Sequence, residues 1–187
     1  MKKIFFAVVS SLSLLFASCG GGAGKVYYAR DFGIVPGTGE DMTEEFAKAF
    51  ETIKAECNGE VKTELVVECG EYDFYPEDAN VREYYISNHD QDNPKLVALA
   101  LEGVKNLTIT GKGLLENPAR FLMNGRMLPI AMIDCENCKI EGVTVDTRVP
   151  QITQVEVIEN DTEKGVITYR VAPYANYRIV DGRFVTY

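Results

Sequence analysis

The sequence predicts an all-β protein whose chain winds as a parallel β-helix. Two stretches near its middle resemble each other at an offset of 31 residues: 96–111 reads LVALALEGVKNLTITG and 127–142 reads MLPIAMIDCENCKIEG. A repeat period between about 20 and 50 residues is typical of stacked architectures. Each stretch contains short alternating or apolar segments that end at Asn or Gly, which is the pattern of strands and corners rather than helices. Short strands that repeat at a fixed period predict coils stacked on one another.

The first 25 residues predict export and a membrane anchor ahead of the folded part. Residues 1–18 have the form of a signal peptide, with two lysines and then an apolar run too short to cross a bilayer. The letters LFASC resemble a bacterial lipobox, which implies a lipidated Cys19 and a flexible tether over 19–25. We expect an exported lipoprotein of the bacterial cell envelope, at the periplasmic face or outer membrane, anchored through its lipid alone. An ordinary cleaved signal with an incidental Cys is the alternative.

One amphipathic helix is predicted over Asp41–Glu56. Asp41 is a suitable N-cap, and Glu44 follows it at the spacing of a capping box. Apolar side chains recur at helical spacing along one face, at Met42, Phe46, Ala49, Phe50 and Ile53. An uncovered end of a β-helix exposes strand edges and core, so we expect this helix to cover one end.

Three coils and an antiparallel segment are predicted after the helix. The coils are Glu64–Tyr75, Leu96–Gly113 and Arg126–Asp146. After Pro150, two alternating stretches, QVEVIE and GVITYRV, predict a hairpin, and two further short strands follow. We therefore divide the folded part into 26–149, the cap and first coils, and 150–187, the start of an antiparallel β insertion. The strand pattern continues to the last residue, so we expect the chain to be an incomplete β-helix.

Four cysteines remain after Cys19, and the repeat assigns two of them. Cys135 aligns with Val104 and Cys138 with Leu107, so both are expected in apolar positions of the coil. A disulfide and a C-x-x-C metal site are the alternatives. No second Cys pair accompanies this one and His89 is the single histidine, so we expect no metal and no cofactor.

The charge of the chain is informative about partners. The formal net charge is −9 at pH 7, and no basic stripe is present, so nucleic acid is not an expected partner. The acidic balance also argues against a polygalacturonase or a lyase, which would need basic residues for anionic sugars.

Five sequence blocks carry a resemblance to known enzymes. The block ARDFGIVPGTGEDMTEEFAKAFETIKA looks like the N-terminal cap of pectate-lyase-like right-handed β-helix enzymes. The blocks YYISNHDQDNPK, LEGVKNLTITGKG, NGRMLPIAMIDCENCKIEGVTVD and VPQITQVEVIEND together resemble glycoside hydrolase family 110. Those enzymes are inverting α-galactosidases, some of them acting on α-1,3-linked galactose. The resemblance covers roughly Val26 to Tyr187 and implies the N-terminal part of such an enzyme, with galactose-terminated glycans as substrates.

The resemblance places the catalytic carboxylates outside this chain. An inverting glycosidase needs two carboxyl groups about 6.5–9.5 Å apart, and those of the family lie on later coils, beyond Tyr187. Four aspartates within the chain are candidate substitutes for the catalytic pair: Asp90, Asp92, Asp134 and Asp146. A role in turns is the alternative for such corner residues.

Two stretches are candidate sugar-binding residues. The run Asn88, His89, Asp90 and Gln91 concentrates side chains that bond hydroxyl groups, and Arg126 stands at the start of a coil. A hydrogen-bonded turn and a corner ion pair are the respective structural alternatives. Tyr84 and Tyr85 are weaker candidates for stacking on a sugar. The competing function is a non-catalytic carbohydrate-binding or surface-associated β-helix module. Neither the natural glycan nor the oligomeric state follows from the sequence.

Overall fold

The computed structural model describes residues 24–57, 59–86, 93–113, 117–150, 152–175 and 177–185. The predicted signal peptide, Cys19 and most of the tether lie outside the described residues. Among the described residues, no helix has the length and apolar character needed to cross a membrane.

Strands dominate the described part of the chain, in agreement with the predicted all-β class. In chain order they are β1 (Lys25–Tyr28), β2 (Thr63–Glu68), β3 (Gly70–Phe74), β4 (Asn80–Arg82), β5 (Lys95–Glu102), β6 (Leu107–Lys112), β7 (Ala119–Met123), β8 (Leu128–Ile133), β9 (Lys139–Glu141), β10 (Val143–Thr147), β11 (Val155–Asp161), β12 (Val166–Val171), β13 (Arg178–Val180) and β14 (Arg183–Val185).

The first ten strands form three sheets that the chain visits in rotation. Sheet A has the order β1-β2-β6-β9, sheet B the order β3-β7-β10, and sheet C the order β4-β5-β8. All neighbours in these sheets are parallel except β4, which pairs antiparallel with β5. From β5 onward the chain passes through sheets C, A and B and then through C, A and B again. Strands from successive passes of the chain therefore lie next to one another in each of the three sheets.

The 31-residue offset of the predicted repeat equals the register of neighbouring strands in sheets C and A. Leu99 pairs with Ile130 in sheet C, and Ile109 pairs with Ile140 in sheet A, both at the offset of 31. At the corner between these sheets, the Asn137 side chain donates to Asn106 Oδ1 at 2.6 Å. Both asparagines have positive φ, 53° at Asn106 and 51° at Asn137, which asparagine tolerates better than most residues.

Glycine at positions 111 and 142 is required by this stacking. A Cβ added to Gly111 would lie 2.1 Å from the carbonyl oxygen of Gly142, and one added to Gly142 would lie 2.3 Å from the carbonyl oxygen of Gly111. The alignment of these two glycines in the sequence therefore reflects direct contact between backbones.

The helix α1 (Thr43–Cys57) packs into the core from one side. Asp41 Oδ1 accepts a hydrogen bond from Thr43 N at 2.7 Å and thus caps the helix as predicted. Asp41 Oδ2 also accepts from Tyr75 N at 2.6 Å, which ties the helix start to the end of β3. Glu44 forms an ion pair with Lys48 one turn later, so the predicted capping box is wrong in its second member.

Phe46 of α1 lies at the centre of an aromatic cluster. Its ring centroid is 5.5 Å from that of Phe121, 5.9 Å from that of Phe74 and 6.4 Å from that of Tyr72. Phe46, Phe74 and Phe121 are fully buried, and Tyr72 is nearly so. The helix therefore joins sheet B through one continuous core, as its predicted apolar face requires.

Residues 152–175 and 177–185 form two antiparallel hairpins. β11 pairs with β12, with a register shift between Val157 and Glu159, and β13 pairs with β14. The hairpin predicted after Pro150 is therefore present. The rings of Tyr177 and Phe184 stack at 5.0 Å, and Tyr169 meets Phe184 edge-on at 5.7 Å, which links the two hairpins. The predicted domain boundary at 149/150 stays a prediction.

Candidate functional site

The predicted sugar-binding residues Asn88, His89, Asp90 and Gln91 lie outside the described residues, as do Asp92 and Cys19. The ends of the segment that carries them are described. Tyr84 N donates to Asn93 Oδ1 at 3.1 Å, so the two ends of the ten-residue span 84–93 meet beside sheet C. β4 precedes the span and β5 follows it, and both belong to sheet C.

A paired carboxylate lies beside this span. Arg82 Nε donates to Glu102 at 3.0 and 3.2 Å, and the Tyr84 hydroxyl donates to Glu102 Oε1 at 2.6 Å. The hydrogen bond from Tyr84, together with Arg82, lowers the pKa of Glu102. Burial, followed by the bond to Glu102, raises the pKa of Tyr84 to about 12. Glu102 is consequently ionised at neutral pH and acts as a fixed acceptor that positions Tyr84 and Arg82.

No pattern in the sequence indicates the pairing of Arg82 with Glu102. They are 20 residues apart and belong to an antiparallel strand pair, and β4 has only three residues. The sequence suggests Tyr84 as a platform on which a sugar stacks, but the Tyr84 hydroxyl donates a hydrogen bond to Glu102. Tyr85 is 79% exposed, so its ring is accessible for stacking.

Arg126 lies just before β8, a strand of the sheet that carries this cluster. It is exposed and lies two residues before β8, whose Leu128 pairs with Val97 of β5. Continuing that register by two residues places Arg126 level with Lys95, close to where the 84–93 span returns to the sheet. Glycine at position 125 lets the chain pass close to Pro76, because a Cβ there would lie 2.5 Å from Pro76 Cγ. The strand that follows Arg126 and the two strands that flank the 88–91 run thus belong to one sheet.

The local carboxylates of the third coil do not form a pair. Asp134 follows β8 at the corner of sheet C and has a φ of 51°, whereas Asp146 lies in β10 of sheet B. Asp146 Oδ1 accepts from Thr147 N at 2.8 Å. The positive φ of Asp134 agrees with a turn role, the alternative for such corner residues.

A second, more buried carboxylate lies on sheet B. Asp73 is 3% exposed, and its carboxylate accepts from Arg148 Nη2 at 2.8 Å on both oxygens and from Asn124 Nδ2 at 2.8 Å. Arg148 Nη1 also reaches Glu71 at 2.8 Å. A carboxylate occupied by so many donors is arranged to hold the strands together and not to transfer a proton.

Cys135 and Cys138 pack half-buried against the core cluster, as their alignment predicted. The Cys138 thiol contacts the Val104 carbonyl at 3.2 Å, and burial raises its pKa. All four cysteines of the described residues are unpaired in the structure. Over the same residues, no three His, Cys, Asp or Glu side chains are grouped as metal ligands.

An open groove crosses the outer face of sheet A. Its volume is about 470 Å³. Threonine hydroxyls, carboxylates and amines line it, from Lys25, Lys62, Glu64, Thr108, Thr110 and Glu141 among others. Hydroxyl and carboxylate groups are suitable hydrogen-bond partners for the hydroxyl groups of a neutral sugar.

The chain is similar to α-1,3-galactosidases. It is 42% identical over 179 residues to an α-1,3-galactosidase B of Bacteroides fragilis, which covers 96% of this chain and 29% of the relative. It is 38% identical over 185 residues to that of Parabacteroides distasonis, covering 99% of this chain and 29% of the relative. For Phocaeicola vulgatus the identity is 40% over 184 residues, covering 98% and 29% respectively. The chain thus spans less than a third of the length of these relatives. No family model matches it.

Proposed function

We propose that this chain supplies the first coils of a glycoside hydrolase of the α-galactosidase type, which removes terminal α-1,3-linked galactosyl residues with inversion. The observation that carries the proposal is the similarity to α-1,3-galactosidases B, at 38–42% identity over nearly the whole chain. The chain corresponds in this proposal to their N-terminal part and to glycoside hydrolase family 110.

The scaffold of the proposed enzyme is a right-handed parallel β-helix. The rotation of the chain through sheets C, A and B and the offset of 31 residues shared by the β5–β8 and β6–β9 pairs support this fold. In the same proposal α1 covers the first coil, and strands β11 to β14 begin an antiparallel β-barrel-like insertion.

In this proposal the candidate sugar-binding residues contact the galactosyl residue. Asn88, His89, Asp90 and Gln91 bond its hydroxyl groups, and Arg126 directs its guanidinium to a ring oxygen or to a catalytic carboxylate. The paired Glu102 supports this division of roles. A general acid requires a raised pKa, whereas the pKa of Glu102 is lowered by Tyr84 and Arg82. The two catalytic carboxyl groups come from later coils in this proposal, and the chain alone is inactive.

Two assays of galactosidase activity test the proposal. The 187-residue chain and a chimera, in which it replaces the matching segment of the B. fragilis relative, are compared on an aryl α-galactoside. We expect turnover by the chimera alone. Activity of the short chain would contradict the placement of the catalytic acids, and a folded but inactive chimera would contradict the family.

The role of Arg126 is tested in the same chimera. Arg126→Ala is expected to lower kcat/KM by roughly tenfold to a hundredfold, the loss typical of a charged hydrogen bond to a ligand. Arg120→Ala is the matched control, because Arg120 lies on sheet B and pairs with Glu71. An equal loss in both variants would assign Arg126 a structural role only.

Export and lipidation at Cys19 form a separate part of the proposal. Expressed in a bacterium with its leader, the chain is expected in the membrane fraction with an acylated N-terminal Cys, detected by mass spectrometry. Cys19→Ala is expected to abolish acylation. An unmodified N-terminus at another residue would support an ordinary cleaved signal.

A non-catalytic carbohydrate-binding module is the second candidate function, and the groove on sheet A favours it. Glycan-array binding by the 187-residue chain that is lost in Thr108→Val/Thr110→Val, together with an inactive chimera, would support this alternative.

A further inference from the structure

The groove on the outer face of sheet A belongs to a different sheet from the strands that flank the candidate sugar-binding residues. The register places Val26, Glu64 and Thr108 side by side across β1, β2 and β6, and it places Thr110 next to Glu141 of β9. Neighbouring strands lie about 4.8 Å apart, so the four strands span roughly 14 Å. The groove volume of about 470 Å³ lies within the range typical of ligand sites.

The floor of this groove lies on the two inner strands of sheet A. β2 and β6 carry Glu64, Thr108 and Thr110, and both strands are hydrogen-bonded on both sides. A further strand beside β9 would lengthen the groove and leave these three side chains in place. The groove floor is therefore independent of how the chain continues.

Two threonine hydroxyls on β6 are available to a ligand. Leu107 and Ile109 are fully buried, so the alternating Thr108 and Thr110 point to the outer face of the sheet. Both threonines are partly exposed, and in the described part of the chain neither hydroxyl is hydrogen-bonded to another group. Each hydroxyl can donate one hydrogen bond and accept two. Together they form a row of polar groups that matches the hydroxyl groups of a sugar.

The charges along the groove are balanced. Two lysines and two glutamates line it: Lys25, Lys62, Glu64 and Glu141. Lys25 pairs with Glu56, and Glu141 pairs with Lys139. Val26 is 46% exposed and adds an aliphatic patch. A lining of this kind suits the hydroxyl groups and C–H faces of a neutral sugar, and it offers no excess of positive charge to a phosphate or a uronate.

We propose that the sheet A groove is a second, non-catalytic glycan site, which holds the interior of a neutral glycan chain while the terminal galactosyl residue is removed elsewhere on the enzyme. This inference rests on the proposed function for its class of ligand. The groove is open, so it accommodates inner sugars of a chain as well as a chain end. Two sites that hold one large glycan raise its effective concentration at each site. The groove therefore lowers KM for large glycans and has no effect on small substrates.

Calorimetric titration of the 187-residue chain with lacto-N-neotetraose, a neutral tetrasaccharide without α-linked galactose, tests the groove without catalysis. We expect saturable binding at one site. Thr108→Val/Thr110→Val keeps β-branched side chains of similar shape but removes two neutral hydrogen bonds, so it is expected to raise the dissociation constant by about tenfold. Thr168→Val is the matched control, because Thr168 is an exposed strand threonine on β12. It is expected to bind as the natural chain does.

Circular dichroism establishes that each variant is folded before its titration is interpreted. Absence of binding by the natural chain would overturn the proposal, as would a double threonine variant that binds equally well. Tighter binding of the sialylated, anionic form of the same tetrasaccharide would contradict the neutral class of ligand.

Kinetics of the chimera with the B. fragilis relative test the consequence for large substrates. On a neutral glycoprotein that carries terminal α-1,3-linked galactose, Thr108→Val/Thr110→Val is expected to raise KM by about tenfold with kcat unchanged. On the aryl α-galactoside, both constants are expected to stay as they are. An equal loss on the two substrates would place the groove in the catalytic site and overturn the proposal. An inactive chimera would contradict the proposed function, whereas the titration still decides whether the groove binds a glycan.

Discussion

Replacing Phe46 by Ala should strongly destabilise the protein, because this side chain joins α1 to sheet B. Phe46 is fully buried and its ring contacts four others, with centroid distances from 5.5 to 6.4 Å. Truncating a buried Phe to Ala costs about 3–5 kcal/mol, and each aromatic pair adds about 0.5–1.5 kcal/mol beyond burial. We therefore expect the free energy of unfolding to fall by about 4 kcal/mol or more.

Urea denaturation followed by far-UV circular dichroism measures this loss. For a slope of about 2 kcal/mol/M, a loss of 4 kcal/mol lowers the midpoint by roughly 2 M. Phe46→Leu keeps most of the volume and should cost about 1.5 kcal/mol. Tyr85→Ala is the exposed aromatic control, because Tyr85 is 79% exposed, and it should change stability by less than about 0.5 kcal/mol. A loss below about 1 kcal/mol for Phe46→Ala would refute the reasoning that this ring closes the core.

Three further predictions follow from the described contacts. Gly111→Ala places a Cβ 2.1 Å from the carbonyl oxygen of Gly142, so it should cost about 2 kcal/mol or more by backbone displacement, measured by thermal denaturation. Gly37→Ala, which meets no atom within 4 Å but has a φ of 75°, measures the cost of a positive φ alone, a cost that Gly111 does not carry, and it should destabilise less. Arg148→Met leaves the buried carboxylate of Asp73 without its main partner, and should cost roughly 3 kcal/mol in urea denaturation, with Arg148→Lys intermediate; an unchanged midpoint would show that Asn124 suffices. Because the pKa of Glu102 is lowered in the folded state, its stabilising contribution is present above the unfolded pKa and is lost as pH falls through the folded one; stability below the ordinary glutamate value of roughly 4.3 should therefore depend less steeply on pH in Glu102→Gln, and parallel curves would contradict this.

The parts of the fold that the sequence predicted are those with a local or periodic cause. The offset of 31 residues equals the register of β5 with β8 and of β6 with β9, because equal corner lengths keep strands in phase. The apolar face of α1 follows from the helical spacing of its apolar residues, and the positions of Cys135 and Cys138 follow from the 31-residue repeat. Capping by Asp41 was also predictable, since its side chain acts within two residues.

The remaining contacts have no periodic cause. β2 pairs with β6 at an offset of 44 and β3 with β7 at 49, whereas β7 pairs with β10 at 24. The segments between these strands differ in length, so sliding the sequence on itself does not align them. The contact of Asp73 with Arg148 depends on the two offsets of sheet B, and that of Arg82 with Glu102 on the antiparallel pairing of β4 with β5. For the candidate site, β8 after Arg126 shares sheet C with the strands that flank 88–91, but contact with a sugar remains a proposal.

The Asn106–Asn137 corner has a consequence for how such a protein changes in evolution or in design. Four residues separate β5 from β6 and five separate β8 from β9, and the residues of these two corners still pair at the offset of 31. Six residues separate β6 from β7, whereas a single residue separates β9 from β10. The asparagine corner therefore keeps the strands on either side of it in register. The corner between sheets A and B, in contrast, tolerates changes in length. New peptide segments grafted at that second corner would alter the surface of the protein while β5 with β8 and β6 with β9 keep their register.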